Sequence, residues 1–331
     1  MAFLIGETFD NCTKANLAEK SWSCYLYSDI KTVGRNGTKG FSVDSVTLST
    51  TPALGNKATL IAGTAFKAVG PSAHNYAFLA LMDGSSLQVE LRLDAAGQRV
   101  GIYRNASLLE LSSFVIAAGV YYHVQLKATI NSSGSWVVKL NNVQILAGSG
   151  NTKATANAYA NKVGIASVSP AETYFDDLWV VDTSGATCND FLGDIRGMTQ
   201  FPNADGTYTD FTASTGDRHD CVNKVTPTAD AKYVKSLTPG HKGTFSFPAL
   251  GVTGTVKAVV TDVYANKSDA GSRVIKPISK SGASAGAGAN FSLSDSGIYI
   301  PQFVEEVDPA TTAAWLVAGV DAAEQGVELV S

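Results

Sequence analysis

Short runs of alternating apolar and polar residues dominate the first half of the chain, and Gly, Asn, Asp or Ser separates each run from the next. From Leu87 to Leu93 every odd position is apolar, whereas Gln88, Glu90 and Arg92 are polar. Successive side chains of a strand point to opposite faces, so this period of two predicts a strand that is buried on one face only. The same pattern predicts antiparallel strands at Ala58 to Phe66, Asn75 to Met82, Leu87 to Leu93, Val100 to Tyr103, Tyr121 to Ile130, Trp136 to Leu140, Lys162 to Val168 and Thr173 to Val181.

The turn-forming residues between these runs indicate how the chain divides into domains. Asn141 and Asn142 tolerate the positive φ angles of a tight turn, which predicts a hairpin around them. Alternation fades after Asp182 and returns at Thr244, so we expect a first β domain over 1–185, an extended connecting segment over 186–243 and a second β-sandwich over 244–331. A single short helix is predicted at Thr311 to Ala323. The fold class is therefore all-β.

Composition narrows the classes of function. Of the 331 residues, 45% are hydrophobic and only 16% are charged, so the chain can fill two cores. A net charge of −4 without clustered Lys or Arg argues against nucleic-acid binding. The absence of an apolar run of about twenty residues argues against membrane insertion. Four scattered cysteines without a Cys-x-x-Cys pair predict ordinary thiols.

A resemblance to a family of tailed-phage virion proteins rests on several blocks that follow in order. The most specific is the stretch Thr173 to Asp182, TYFDDLWVVD, followed by Asn189 to Asp194, NDFLGD. Further blocks lie at Ala156–Asn161, Tyr121–Leu126, Phe201–Gly206, Tyr233–Val234, Lys267–Arg273 and Asp308–Trp315. The resemblance implies an N-terminal concanavalin A-like, laminin-G-type jelly roll in a protein of the phage particle.

The resemblance also implies a role and a set of partners. We expect a structural virion protein that is tail-associated or fibre-associated, assembled in the bacterial cytoplasm with other virion proteins and as a symmetric homo-oligomer. A capsid decoration protein and a carbohydrate-binding host-attachment module are the alternatives. The chain carries no collagen-like repeat or long coiled coil, which argues against an autonomous long fibre.

Catalytic chemistry has weak support in the sequence. Glu90 and Asp94 share a strand face, but four residues at about 3.3 Å each separate them by about 13 Å, beyond the spacing of glycosidase carboxylates. The neighbours His219, Asp220 and Cys221 lack a recognisable hydrolase motif. We therefore expect no catalytic residues and no enzymatic activity.

Metal and sugar sites remain as weaker hypotheses. Laminin-G-like folds can hold a calcium ion at the sheet rim, and Asp176, Asp177, Asp190 and Asp194 are the candidate ligands by type, although no ligand spacing supports them and no cofactor is expected. Asp176 and Asp177 are adjacent on a strand and should point to opposite faces. Aromatic residues that could stack on host polysaccharide, or fill the core instead, are Trp22, Trp136, Trp179, Trp315, Tyr121, Tyr122 and Tyr174.

Overall fold

The computed structural model describes residues 2–72, 75–168, 172–227 and 231–331. It divides into two compact units, Met1–Gly197 and Met198–Ser331. Helices among the described residues are short, and none has the length and apolar character needed to cross a bilayer. The all-β class is confirmed.

The first unit is a two-sheet jelly-roll sandwich. Its elements are β1 (Phe3–Glu7), α1 (Lys14–Glu19), β2 (Ser28–Lys31), a 3-10 turn (Arg35–Gly37), β3 (Gly40–Val43), β4 (Ser49–Thr50), β5 (Thr59–Ala68), β6 (Ala77–Asp83), β7 (Ser86–Leu93), β8 (Arg99–Arg104), β9 (Ser107–Val115), β10 (Tyr122–Thr129), β11 (Gly134–Leu140), β12 (Val143–Gly150), β13 (Lys162–Ile165) and β14 (Thr173–Asp182).

Two antiparallel sheets form the layers of this sandwich. Sheet A has the order β12-β11-β10-β5-β14-β3-β2, with β1 paired to β14, and sheet B has the order β4-β13-β6-β7-β8-β9. The core lies between them, where Phe66 of β5 stacks on Phe78 of β6 with ring centroids 4.6 Å apart. The predicted hairpin is confirmed, since Asn141 and Asn142 have φ of 48° and 68°.

The second unit is built around a sheet of order β15-β18-β26-β21-β22, with β23 paired to β21. A small core packs against it from Phe211, Ile275, Ile300 and Leu329. Its elements are β15 (Ala204–Thr209), β16 (Thr212–Ala213), α2 (Arg218–Val222), β17 (Val234–Lys235), β18 (Lys242–Ser246), β19 (Val259–Thr261), β20 (Tyr264–Ala265), β21 (Val274–Ser281), β22 (Ser284–Ala287), β23 (Phe291–Ser292), β24 (Ile298–Tyr299), β25 (Phe303–Glu305), α3 (Val317–Ala322) and β26 (Glu324–Leu329).

Three features differ from the expectations. The segment 186–243 is not a separate connection, because 186–197 belongs to the first unit and the rest carries strands of the second. The predicted helix over 311–323 covers only Val317–Ala322, and two other short helices, α1 and α2, lack the apolar periodicity that would reveal them.

The polar face of β7 is the third difference, because it is buried and not solvated. Gln88 donates to Thr155 and to the carbonyls of Asn157 and Tyr159, so the chain after β12 covers this face. Glu90 is fully buried and accepts from Arg92 and from the amide of Ala106. Alternation thus gave the correct orientation of each side chain but not what covers the second face.

Candidate functional site

The outer face of sheet A is the face turned away from the sandwich core. In β10, Val124, Leu126 and Ala128 point into the core, so the alternate residues His123, Gln125 and Lys127 point to the outer face. Such a sequence of ionisable and amide side chains on one sheet face is suited to polar recognition. Two aromatic–lysine clusters and a covering segment lie on this face.

Residues 188–197, which follow β14, cross the outer face of sheet A, and we call them the crossing segment. The Lys127 ammonium donates to Asp190 Oδ1 at 2.9 Å. The amide of Gly193 donates to Gln125 Oε1 at 3.1 Å, and the amide of Gly197 donates to Asp177 Oδ1 at 2.8 Å. Polar contacts therefore hold an irregular stretch of chain against the sheet.

Arg35, in the 3-10 turn between β2 and β3, joins the sheet to the crossing segment. Its Nε and Nη2 donate to Asp177 Oδ2 at 2.9 and 2.6 Å. On the crossing segment, Nη1 donates to Asp194 Oδ1 at 2.6 Å and Nη2 donates to the carbonyl of Ile195 at 3.0 Å. One guanidinium thus satisfies two carboxylates and a carbonyl, which its planar fork of donors suits.

Asp176 and Asp177 both approach this turn, contrary to the expectation that they point to opposite faces. A register shift in the pairing of β14 with β5 lies between Asp176 and Trp179, and Asp177 has φ of 49°. This bulge breaks the two-residue alternation, so Asp176 accepts from the amide of Arg35 at 2.7 Å while Asp177 accepts from its side chain. Burial, together with the negative charge of Asp177, raises the pKa of Asp176 to about 7.

The four aspartates proposed as calcium ligands are not gathered into one group of ligand atoms among the described residues. Asp177 and Asp194 are bound to Arg35, and Asp190 is bound to Lys127, so cationic side chains occupy the positions that a metal ion would take. In the part of the chain that the structure describes, one group of three residues is close enough to share an ion, namely Asp217, His219 and Asp220. The aspartates of the outer face fit an ion-pair cluster.

His123 lies beneath the crossing segment and is 1% exposed. Its ring stacks on that of Trp179, with centroids 6.3 Å apart. Neither imidazole nitrogen has a hydrogen-bond partner among the described residues, and the Trp179 indole nitrogen has none either. Burial lowers the pKa of His123 to about 4, so the ring is neutral near pH 7.

One aromatic–lysine cluster lies where the crossing segment passes β10 and β11. The ammonium of Lys139 is 4.3 Å from the centroid of the Phe191 ring, and that of Lys127 is 5.9 Å away. A cavity of about 250 Å³ opens here, lined by Lys127, Ser135, Trp136, Val137, Lys139, Gln144, Asp190 and Phe191. An aromatic ring flanked by amide and ammonium groups provides both apolar and polar contacts for a ligand.

The second cluster lies farther along the same face. The ammonium of Lys67 in β5 is 4.7 Å from the centroid of Tyr121 and 5.1 Å from that of Tyr174. Gln125 pairs with Lys139 on one side and with Gly63 on the other, and Lys67 lies four residues beyond Gly63 on β5. The spacing between strands and the rise per residue therefore place the α-carbons of Lys67 and Lys139 about 16 Å apart. Neither lysine forms an ion pair or a side-chain hydrogen bond within the described residues.

The sequence identified some of these residues and missed others. Tyr121 and Tyr174 were candidate sugar-stacking residues, and both lie on the outer face. All four tryptophans are buried, but only Trp22 and Trp136 belong to the sandwich core, whereas Trp179 packs against His123 on the outer face. Phe191, Lys139 and Lys67 were missed, because a single aromatic residue in an irregular segment and isolated lysines give no periodic signal.

The remaining chemical candidates are held by structural contacts. Arg92 pairs with the buried Glu90, and Arg99 pairs with Asp94. His219 lies against Asp205, whereas the Cys221 thiol donates to the carbonyl of Thr215. No disulfide joins the four cysteines, all of which lie within the described residues, and they were expected to be ordinary thiols. None of these groups forms a nucleophile–base pair in the described part of the chain.

Comparisons with known proteins concern the fold. No family model and no curated protein sequence matches the chain. Among solved structures it is similar to domain 4 of the extracellular arabinanase AbnA from Geobacillus stearothermophilus, in complex with arabinotriose, with 14% identity, a TM-score of 0.39, and coverage of 55% of this chain and 92% of that one. It is also similar to the carbohydrate-binding module CBM66 from Bacillus subtilis, with 11% identity, a TM-score of 0.33, and coverage of 49% and 91%.

A third similar structure corrects one expectation. The endo-β-1,4-glucuronan lyase of the fungus Trichoderma reesei matches with 9% identity, a TM-score of 0.36, and coverage of 47% of this chain and 87% of that one. This finding contradicts the expectation that the chain is not an enzyme, since the solved structures similar to part of this chain include a polysaccharide lyase. Identities this low describe the fold and assign no substrate to this chain.

Proposed function

We propose that the first unit binds an acidic polysaccharide on the outer face of sheet A. The observation that carries the proposal is the pair of lysines, Lys139 and Lys67, each lying over aromatic rings and outside ion-pair distance of every carboxylate among the described residues. Unpaired ammonium groups beside aromatic rings favour a ligand with both sugar rings and carboxylates.

The Phe191 cavity is the principal contact site in this proposal. Its ring supplies an apolar surface for the face of a sugar, and Lys139 supplies a charge-assisted hydrogen bond to a carboxylate. Gln144 and Ser135 line the same cavity and provide hydrogen-bonding groups for hydroxyls. The Lys67 cluster extends the surface to a ligand of several sugar units.

Titration calorimetry with alginate, polygalacturonate and a neutral glucan tests the proposal. We expect binding of the two polyuronates, with weaker binding at high salt. Phe191→Ala and Lys139→Gln should each weaken it by about tenfold, an effect of about 1.4 kcal/mol. Lys276→Gln in the second unit removes a paired lysine and is the control. Equal affinity for the neutral glucan, or full affinity in both cavity variants, would contradict the proposal.

The same incubations decide whether the bound polysaccharide is also cleaved. Chain length of the polyuronate after incubation is measured beside the affinity. Shortening that depends on Lys67 or Lys139 would make the outer face of sheet A an active site, whereas unchanged length with retained binding would make it a binding surface.

We further propose that the protein displays this surface on a tailed-phage particle, as a tail-associated, fibre-associated or capsid decoration component. The support is the sequence resemblance, whose most specific blocks correspond to β14 and to the first part of the crossing segment. A homo-oligomer assembled with other virion proteins would repeat the binding face and strengthen attachment to host polysaccharide. Mass spectrometry of purified virions tests this role, and absence of the polypeptide from them would exclude it.

A further inference from the structure

Between the two aromatic–lysine clusters, the outer face of sheet A carries a layer of buried polar side chains. Gln125 is fully buried, and His123 and Asp176 are 1% and 2% exposed. His123 and the Trp179 indole have no hydrogen-bond partners among the described residues. A buried polar group without a partner is costly in free energy, so a fold that only needed to cover this face would have an apolar layer here.

The crossing segment covers this layer through polar contacts at both ends, and its Leu192 is buried as well. It has no helix or strand over 188–197. Its side-chain anchors are ion pairs at Asp190 and Asp194, whose side chains are 63% and 37% exposed. Gly193 uses its amide to satisfy Gln125, an interaction that a ligand hydroxyl or carboxylate can reproduce.

We propose that the layer formed by His123, Gln125 and Trp179 is a central ligand site that the crossing segment occupies when no ligand is bound. This inference rests on the proposed function, because it makes the Phe191 and Lys67 clusters the two ends of one groove. An acidic oligosaccharide long enough to bridge them displaces residues 193–197 of the segment and places hydroxyl groups against His123 and the Trp179 N–H. The Lys127–Asp190 pair and the buried Leu192 keep Phe191 on the sheet. Because only open molecules bind, the apparent affinity is the intrinsic affinity multiplied by the fraction of molecules that are open.

The first test loosens the cover without touching the central site. Asp194→Asn keeps the size of the side chain and weakens its ion pair with Arg35, which should tighten binding of an oligogalacturonide of about six units by about two- to fivefold. Asp295→Asn makes the same charge change at an exposed pair in the second unit and should leave the affinity unchanged. Hydrogen exchange of 193–197 should rise in Asp194→Asn, and in the unchanged protein it should rise on adding the oligogalacturonide.

The second test asks whether His123 contacts the ligand. Adding His123→Ala to Asp194→Asn should abolish the gain in affinity, and thermal unfolding confirms that the double variant is folded. Unchanged affinity in Asp194→Asn, or a gain that His123→Ala leaves intact, would overturn the central site. If polyuronate binding still depends on Phe191 and Lys139 in that case, the proposed function stands and only this inference falls. No binding by any of these proteins would overturn both.

Discussion

Arg35 and Asp177 form a two-donor ion pair on the outer face of sheet A, in which Nε and Nη2 both donate to Oδ2 at 2.9 and 2.6 Å. Both side chains are largely buried, at 10% and 7% exposure. Removing one partner of such a pair leaves an uncompensated charge in a poorly solvated place. The pair also fixes the 3-10 turn over the bulge of β14.

Arg35→Ala should therefore destabilise the first unit by about 3 kcal/mol. Chemical denaturation monitored by circular dichroism measures the change in the free energy of unfolding. Arg99→Ala is the matched control, since its pair with Asp94 is 40% exposed on the arginine side and should contribute under about 1 kcal/mol. Equal losses of unfolding free energy in the two variants would mean that the buried Arg35–Asp177 pair stabilises the protein no more than the exposed Arg99–Asp94 pair.

Asp176 should make the protein less stable as the pH rises. Its pKa is about 7 in the folded protein against 3.8 without the fold, so the folded state holds the proton more tightly. The contribution of this group is fully present below about pH 4 and is lost as the pH rises to about 7. Asp176→Asn should remove this contribution, which is measured as the difference between the two proteins in the free energy of unfolding across that range.

His123 should act in the opposite direction over nearly the same range. Its pKa is about 4 in the folded protein and 6.5 otherwise, so the unfolded state binds more protons in between. The stability that this group provides is present above about pH 6.5 and is lost as the pH falls to about 4. His123→Gln should flatten that acid loss.

Comparing the two single variants tests both assignments together. The unchanged protein should show a shallow net slope, because the Asp176 and His123 contributions oppose each other. Asp176→Asn should then lose stability towards acid, and His123→Gln should lose it towards neutral pH. Slopes of the same sign in the two variants would contradict the burial of at least one group.

Two-residue alternation predicted the long strands of the jelly roll from β5 onward, because each of them buries one face in the sandwich core, but it missed β1 to β4. It could not predict what covers the other face. The pattern around Glu90 is the same whether water or the chain after β12 lies against it, and only the tertiary structure distinguishes the two.

The candidate site was harder to predict for the same reason. The aspartates at 176, 177 and 194 were identified by type, yet their role depends on Arg35, which is about 140 residues away along the chain from Asp176. The bulge at Asp177 breaks the alternation that the sequence argument assumed. Long-range pairing and local irregularity are the two features that periodicity does not encode.

Gly63 provides a last prediction, because it lies directly beneath the Trp179 ring. A β-carbon on Gly63 would sit 2.2 Å from Cζ2 of that indole, closer than nonbonded carbon atoms approach. Trp179 is 1% exposed and has no room to move away, so Gly63→Ala should cost about 1–3 kcal/mol of stability. Gly271→Ala, where the nearest atom is 3.7 Å away, is the control and should be nearly neutral.

Trp179→Phe should relieve much of the cost in the double variant, because a smaller ring vacates the space. Failure of this rescue would show that the substitution at Gly63 acts through the backbone and not through the indole.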